Sequence, residues 1–368
     1  MTFRVRSCRL AILALLVLPA CVAAEQPAAP KVEFPFREND HLVIMGSSST
    51  GIGIWPKTIQ FLLSTRHPEL KVRSTRHTAA TFAQGLDKVD QWLLDSKPTI
   101  VIFNFGGNDA NGGEKGLPGF KANIDKMVAK VKDAGARPIL MTHQSGDVRK
   151  AGKEALARRK LYAEELIAHA REKSYPVIDT HHPLEDLQAA GQKDDEAYTI
   201  LKDSIHLTDA AYIAWGYYLY ERCHPPARES TATLTAKGEV TASTRCKISD
   251  VKTDADGLSF TRADEVLPIL PPIALPPRRQ VPLEKLSPYL LKVTGLPAGH
   301  YEIRVEGKPV GTVEAKALAE GVNLNSVLLD SKHPAPWEAL AKDLWAGKQV
   351  EQVGKTMWKF EVRRSGKE

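Results

Sequence analysis

The sequence predicts an α/β fold: a five-stranded parallel sheet sandwiched by helices, followed by a smaller β-rich C-terminal region. Three observations carry that reading. From Phe34 to Cys223, short apolar runs alternate with amphipathic stretches, the order that builds a parallel sheet covered on both faces. The run 99–105 is almost wholly apolar or β-branched, as a strand buried on both faces must be. Beyond Cys223 the helical period is lost, and Thr, Ser and Val dominate.

Each element follows from local pattern. The run 41–45 is apolar and stops at Gly46, which predicts the first strand. A helix is expected over 56–64, a second strand over 70–74 and a helix over 82–94. The strand at 99–105 precedes a helix over 118–134, whose proline suits a first turn. A fourth strand is expected at 138–142. The longest helix spans 153–173, with Leu156, Ala163, Ile167 and Ala170 on one stripe. A fifth strand at 176–179 follows, and Thr208 is placed to cap a last helix running to Cys223. The sheet-bearing domain is taken as 34–225 and the β-rich region as 226–368. Within the latter, 265–288 is proline-rich and reads as an extended linker or surface wrap, because proline does not serve a central strand. Tyr301, Ile303 and Val305 alternate with charged residues, Gly307 marks a turn, and Trp358, Phe360 and Val362 alternate again. A short amphipathic helix is expected over 336–347.

The N-terminus reads as a targeting segment. Arg4, Arg6 and Arg9 precede an apolar run and then Val22-Ala23-Ala24, the order of a secretory signal peptide over residues 1–24. Lipidation at Cys21, within Leu18-Pro19-Ala20-Cys21, is the competing reading. Export to the periplasm or medium is the expectation either way. No other run is long and apolar enough to span a membrane. The three arginines supply half of the net charge of +6, so the remaining chain is close to balanced and nucleic acid is not an expected partner. After removal of the leader only Cys223 and Cys246 remain, and an even pair in an exported chain invites a disulfide.

In open parallel sheets the chemistry gathers beyond the carboxyl ends of the strands. The first strand ends in Gly46-Ser47-Ser48-Ser49-Thr50-Gly51. A phosphate loop is excluded there, because Ile52 stands where the lysine belongs. The turn instead suits a presented nucleophile. The third strand ends in Gly106-Gly107-Asn108-Asp109, and Asp203-Ser204-Ile205-His206 precedes the last helix. A carboxylate three residues before a histidine can orient its ring, and the histidine can then take a serine proton.

These blocks resemble the SGNH (GDSL-type) hydrolase family over about residues 38–223. The resemblance makes Ser48 the nucleophile, His206 the base and Asp203 its orienting acid. It makes the Ser48 N–H, the Asn108 amide and the Ala79 N–H the oxyanion hole. It implies an SGNH, flavodoxin-like three-layer fold and an acyl-enzyme mechanism that requires no metal or cofactor. Two departures stand out: Ser47 replaces the usual aspartate of the first block, and no glycine lies between Arg73 and Thr81. The C-terminal segments 296–301, 307–311 and 318–324 resemble the region appended to exported bacterial members. The implied activity is an exported serine esterase, with O-acetyl groups on a small molecule or polysaccharide as substrate. An inactive glycan-binding protein on the same fold, or an acyltransferase, are the alternatives. Trp55, Gly107 and His143 are further candidates for substrate contact.

Overall fold

The computed structural model describes residues 32–273, 287–331, 333–348 and 356–366. The 1–24 leader, Cys21 and most of the proline-rich segment lie outside these residues. The first sheet is built from β1 (His41–Gly46), β2 (Arg73–Thr78), β3 (Ile100–Asn104), β4 (Arg137–Met141) and β5 (Val177–Ile178). Its strand order is β2-β1-β3-β4-β5, all parallel. Gly46 pairs with both Thr78 and Asn104, so three strands end level at one rim.

Alternation along each strand feeds two cores. Leu42, Ile44, Ile100 and Ile102 face α2 (Ile54–Arg66) and α9 (Asp209–Arg222), against Trp55, Ile59 and Trp215. Val43, Met45, Val101 and Phe103 face the opposite layer, against Phe82, Ile124 and Leu166. Between α1 (Ser48–Ile52) and α9 lie α3 (Phe82–Leu86), α4 (Val89–Ser96), α5 (Gly113–Asp133), α6 (Val148–Ala151), α7 (Lys153–Glu172) and α8 (His181–Asp194). Gly216 lets α9 cross α2 closely: a Cβ there would lie 2.4 Å from Thr58 Cβ.

Four local expectations need correction, the first being the helix expected from 118, which begins at Gly113 and so carries Pro118 inside it rather than in its first turn. The second strand is Arg73–Thr78 rather than 70–74, and residues 68–70 form a 3-10 turn. It is an edge strand whose residues are exposed or half-buried, so it carries no apolar run. The helix expected over 82–94 breaks at Asp87-Lys88 into α3 and α4. The helix α8 was not expected at all.

The C-terminal region is a two-sheet sandwich with three helices. Its strands are β6 (Ser230–Thr235), β7 (Val240–Thr244), β8 (Cys246–Asp254), β9 (Gly257–Asp264), β10 (Tyr289–Thr294), β11 (His300–Val305), β12 (Lys308–Glu314), β13 (Val322–Asn323) and β14 (Thr356–Arg364). The helices are α10 (Ala315–Glu320), α11 (Leu324–Ser331) and α12 (Glu338–Trp345). The sheets run β13-β10-β6-β7 and β12-β11-β14-β9-β8 and share one apolar core, in which the Phe260 and Phe360 rings stack at 5.3 Å. The fully buried Arg262–Asp264 pair lies inside it, its carboxylate also accepting from Ser230 and Tyr289.

The expected disulfide is not formed: Cys223 and Cys246 are both free thiols. Cys223 belongs to the core under the parallel sheet, whereas Cys246 belongs to the sandwich core and donates to the Thr231 carbonyl at 3.2 Å. Burial raises both thiol pKa values.

Candidate active site

The turn after β1 presents Ser48. A Cβ at Gly46 would sit 2.2 Å from Thr50 Oγ1 and 2.7 Å from the Asn104 carbonyl oxygen, so only glycine lets the chain turn here. Ser47 is the N-cap of α1 but makes no side-chain cap bond. Its N–H donates to Asn104 and its carbonyl accepts from Thr50 and Gly51, so backbone bonds hold the turn that an aspartate would otherwise brace. Of the three serines, Ser47 and Ser49 are buried and Ser48 is exposed. As the first residue of α1, Ser48 has an N–H without an intrahelical acceptor.

Asp203 and His206 lie on a tight loop closed by the Leu201–Leu207 bridge. The Ser48 hydroxyl is 3.0 Å from His206 Nε2, and His206 Nδ1 is 2.9 Å from Asp203 Oδ2. Asp203 Oδ1 accepts from the N–H groups of His206 at 2.7 Å and Ile205 at 2.8 Å. These two N–H bonds, then the imidazole, hold the Asp203 carboxyl well below the usual carboxylate range. The acid therefore stays ionised, fixing the ring with Nδ1 protonated and Nε2 free to accept from Ser48. The centre is open: Asp203 is 49% exposed and His206 27%.

The N–H groups free to act as oxyanion donors differ from the expected set. Asn108 donates one amide hydrogen to the Ala80 carbonyl at 2.9 Å, which fixes the group and leaves its second hydrogen. Ala79 does not contribute: its N–H donates to the Gly46 carbonyl at 3.1 Å, continuing the pairing of β1 and β2. The Ala80 N–H in turn donates to Gln84. The available donors are the Ser48 N–H and the Asn108 amide. The loop that carries Asn108 needs its glycine: Gly106 has φ +111°, and a Cβ there would meet His143 Nδ1 at 2.7 Å. The half-buried Asp109 carboxylate closes this loop by accepting from Gly106 and Phe82.

Two candidates for substrate contact are displaced inward. Trp55 is fully buried against Trp215, so it packs the core and faces no substrate. His143 is buried beneath Gly106 and Gly107 rather than lining an open wall, and burial keeps its pKa well below the ordinary histidine value. Gly107 itself is half-buried in the Asn108 loop. His181 is also buried, with Nδ1 3.1 Å from the His143 carbonyl oxygen.

One polar residue escaped the sequence reading. Gln144 follows β4, is buried, and its amide nitrogen donates to Ser49 Oγ at 2.9 Å and to the Ile205 carbonyl at 3.3 Å. It therefore joins the neighbour of Ser48 to the neighbour of His206. Its place just past a strand's carboxyl end was the signal available in the sequence.

Residues 46–214 match the GDSL-like Lipase/Acylhydrolase family. An arylesterase from Vibrio mimicus is 28% identical over 133 residues, which is 34% of this chain and 60% of that protein. Among solved structures, a gut microbial diltiazem-metabolizing enzyme covers 92% of this chain and 100% of its own, with TM-score 0.74 and 18% identity. The shared fold thus includes the β-rich region. An acetylxylan esterase from Geobacillus stearothermophilus aligns over 51% of this chain and 95% of its own, at 16% identity and TM-score 0.42.

Proposed function

We propose that the protein is an exported serine esterase that removes small acyl groups, acetyl above all, from carbohydrate. The observation that carries the reading is the unbroken hydrogen-bonded chain from Ser48 through His206 to Asp203. His206 Nε2 takes the Ser48 proton as Oγ attacks the ester carbonyl. The Ser48 N–H and the Asn108 amide receive the developing oxyanion. His206 then protonates the departing alcohol, and water, deprotonated by the same ring, releases the acid from Ser48. The openness of the centre suits a bulky alcohol component such as a sugar chain.

The test is intact mass after treatment with a serine-directed fluorophosphonate, beside Ser48→Ala. One adduct on the wild type and none on the variant is the expected result. Absence of an adduct on folded wild type would overturn the assignment. Release of acetate from acetylated oligosaccharides, without transfer to an added sugar, tests the finer claim.

A further inference from the structure

A second, strongly cationic feature lies outside the reaction centre. A cleft of about 1370 Å³ runs between the open edge of β2, helix α2 and the C-terminal region. Lys57, Lys71, Arg73, Arg76, Arg228 and Arg245 line it, with Lys348 at its margin, against Glu69 and Glu265 alone. Among these cations Arg228 pairs with Glu69 and Lys348 with Asp343, each at 2.7 Å, and no ion pair joins Lys57, Lys71, Arg73, Arg76 or Arg245 to an acid within the described residues. His67 also lines the cleft, and its pKa is pushed down to about 3 by burial and then by Arg228, Arg66 and Arg245, as a positive enclosure requires.

A sheet edge bearing charged residues has an ordinary purpose, since such charges deter pairing with other chains. That purpose accounts for Arg73 and Arg76. It does not account for Lys57 on α2, or for Arg228 and Arg245 from beyond the parallel-sheet domain, which converge on the same space. The half-buried Trp345 offers an apolar ring at the same cleft, seated on Phe61 at 6.0 Å. An indole beside arginines suits a sugar ring that carries a carboxylate.

The cleft leads toward the nucleophile. Arg76 lies against Gly53, where a Cβ would be 2.8 Å from Nη1. Gly53 follows α1, and Ser48 opens that helix, so the two are roughly 8 Å apart along its axis. From Arg73 to Arg76 the cleft follows β2 for roughly 10 Å toward the catalytic rim.

We propose that this cleft binds a polysaccharide of carboxylated sugars and guides its acylated residues to Ser48. The guiding half rests on the esterase reading; the binding half does not. The test is affinity electrophoresis and calorimetry at low salt on the full protein carrying Ser48→Ala, with polygalacturonate as probe and unsubstituted xylan as the neutral comparison. The expected result is salt-sensitive binding of polygalacturonate, weakened about tenfold or more by Lys57→Glu with Arg73→Glu and Arg245→Glu. If that triple variant fails to fold, Arg73→Gln with Arg245→Gln, checked by circular dichroism, replaces it. Equal binding of xylan, binding unchanged in the variant, or equally tight binding of single-stranded DNA would each overturn the proposal. Fluorophosphonate labelling of Ser48 without polymer binding would defeat this inference and leave the esterase reading standing. Polymer binding without labelling would do the reverse.

Discussion

Gln144 ties the two halves of the catalytic centre, and its removal should slow chemistry more than it weakens binding. Gln144→Met keeps length and volume but removes the amide that donates to Ser49 Oγ and the Ile205 carbonyl. Two hydrogen bonds, one buried and one part-buried, at ~0.5–1.5 kcal/mol each put the stability loss at about 1–3 kcal/mol. The kinetic loss comes from geometry. Ser48 and His206 are held at 3.0 Å by loops that Gln144 joins, and a displacement near 1 Å costs roughly 100-fold in rate. We expect kcat on an aryl acetate to fall about 10–100-fold, KM to stay within about twofold, and the melting temperature to drop by a few degrees. Steady-state kinetics on protein shown folded by circular dichroism makes the measurement. A lowered melting temperature with unchanged kcat would reduce Gln144 to packing. A raised KM with unchanged kcat would mean that it touches substrate.

Two further outcomes follow from the structure. Asn108→Ala removes the side-chain oxyanion donor and should lower kcat about 10²–10³-fold with little change in KM, as loss of one such donor does; equal falls in affinity for a non-reacting ester analogue would point to ground-state binding instead. His67 is neutral in the fold, its pKa near 3, whereas the unfolded chain titrates it near ~6.5. The unfolded state therefore takes the proton first, and His67 costs no stability above pH ~6.5. As pH falls from there toward about 3, stability should drop by roughly 1.4 kcal/mol per unit on account of this one group. His67→Gln should flatten that slope in urea titrations run across pH, and an unchanged slope would refute the assignment.

What the sequence showed and hid has physical reasons. Strands buried on both faces are apolar throughout, so β1, β3 and β4 were visible within a residue or two. β2 was displaced because an edge strand needs no apolar run and Arg-Ser-Thr-Arg-His-Thr has none. That Ser48, Asp203 and His206 come together was readable because a serine at a strand end and an acid three residues before a histidine are fixed residue types in fixed places. Ala79 was misassigned because any backbone N–H is the same in sequence, and only the fold shows that this one pairs with Gly46. Trp55 illustrates the converse: proximity in sequence to the nucleophile says nothing about which side of α2 a ring takes. The cysteine pair failed for a related reason, since an even count carries no information about which core each thiol enters.

Helix α2 explains why the C-terminal region is not a tethered accessory. One side of α2 packs Trp55, Ile59 and Leu62 under the parallel sheet, while Phe61 enters the sandwich core. Beside it, the Leu267 N–H donates to the Thr65 carbonyl at 2.8 Å, and the buried Arg66 guanidinium donates to Ser287. Ser287 and Pro268 are in turn held through their carbonyls by the buried Asn325 amide, at 2.8 and 2.7 Å. Deleting everything after residue 225 would bare Phe61, at about 1.5–3 kcal/mol for the lost burial, and strip Arg66 of that partner. Because α2 begins one residue after the helix that carries Ser48, the disturbance would reach the nucleophile turn. A chain ending at residue 225 should therefore melt well below the whole protein and label more slowly with fluorophosphonate. Equal melting and labelling would mean that the parallel-sheet domain stands alone, and that the shared helix is a contact of convenience rather than a structural joint.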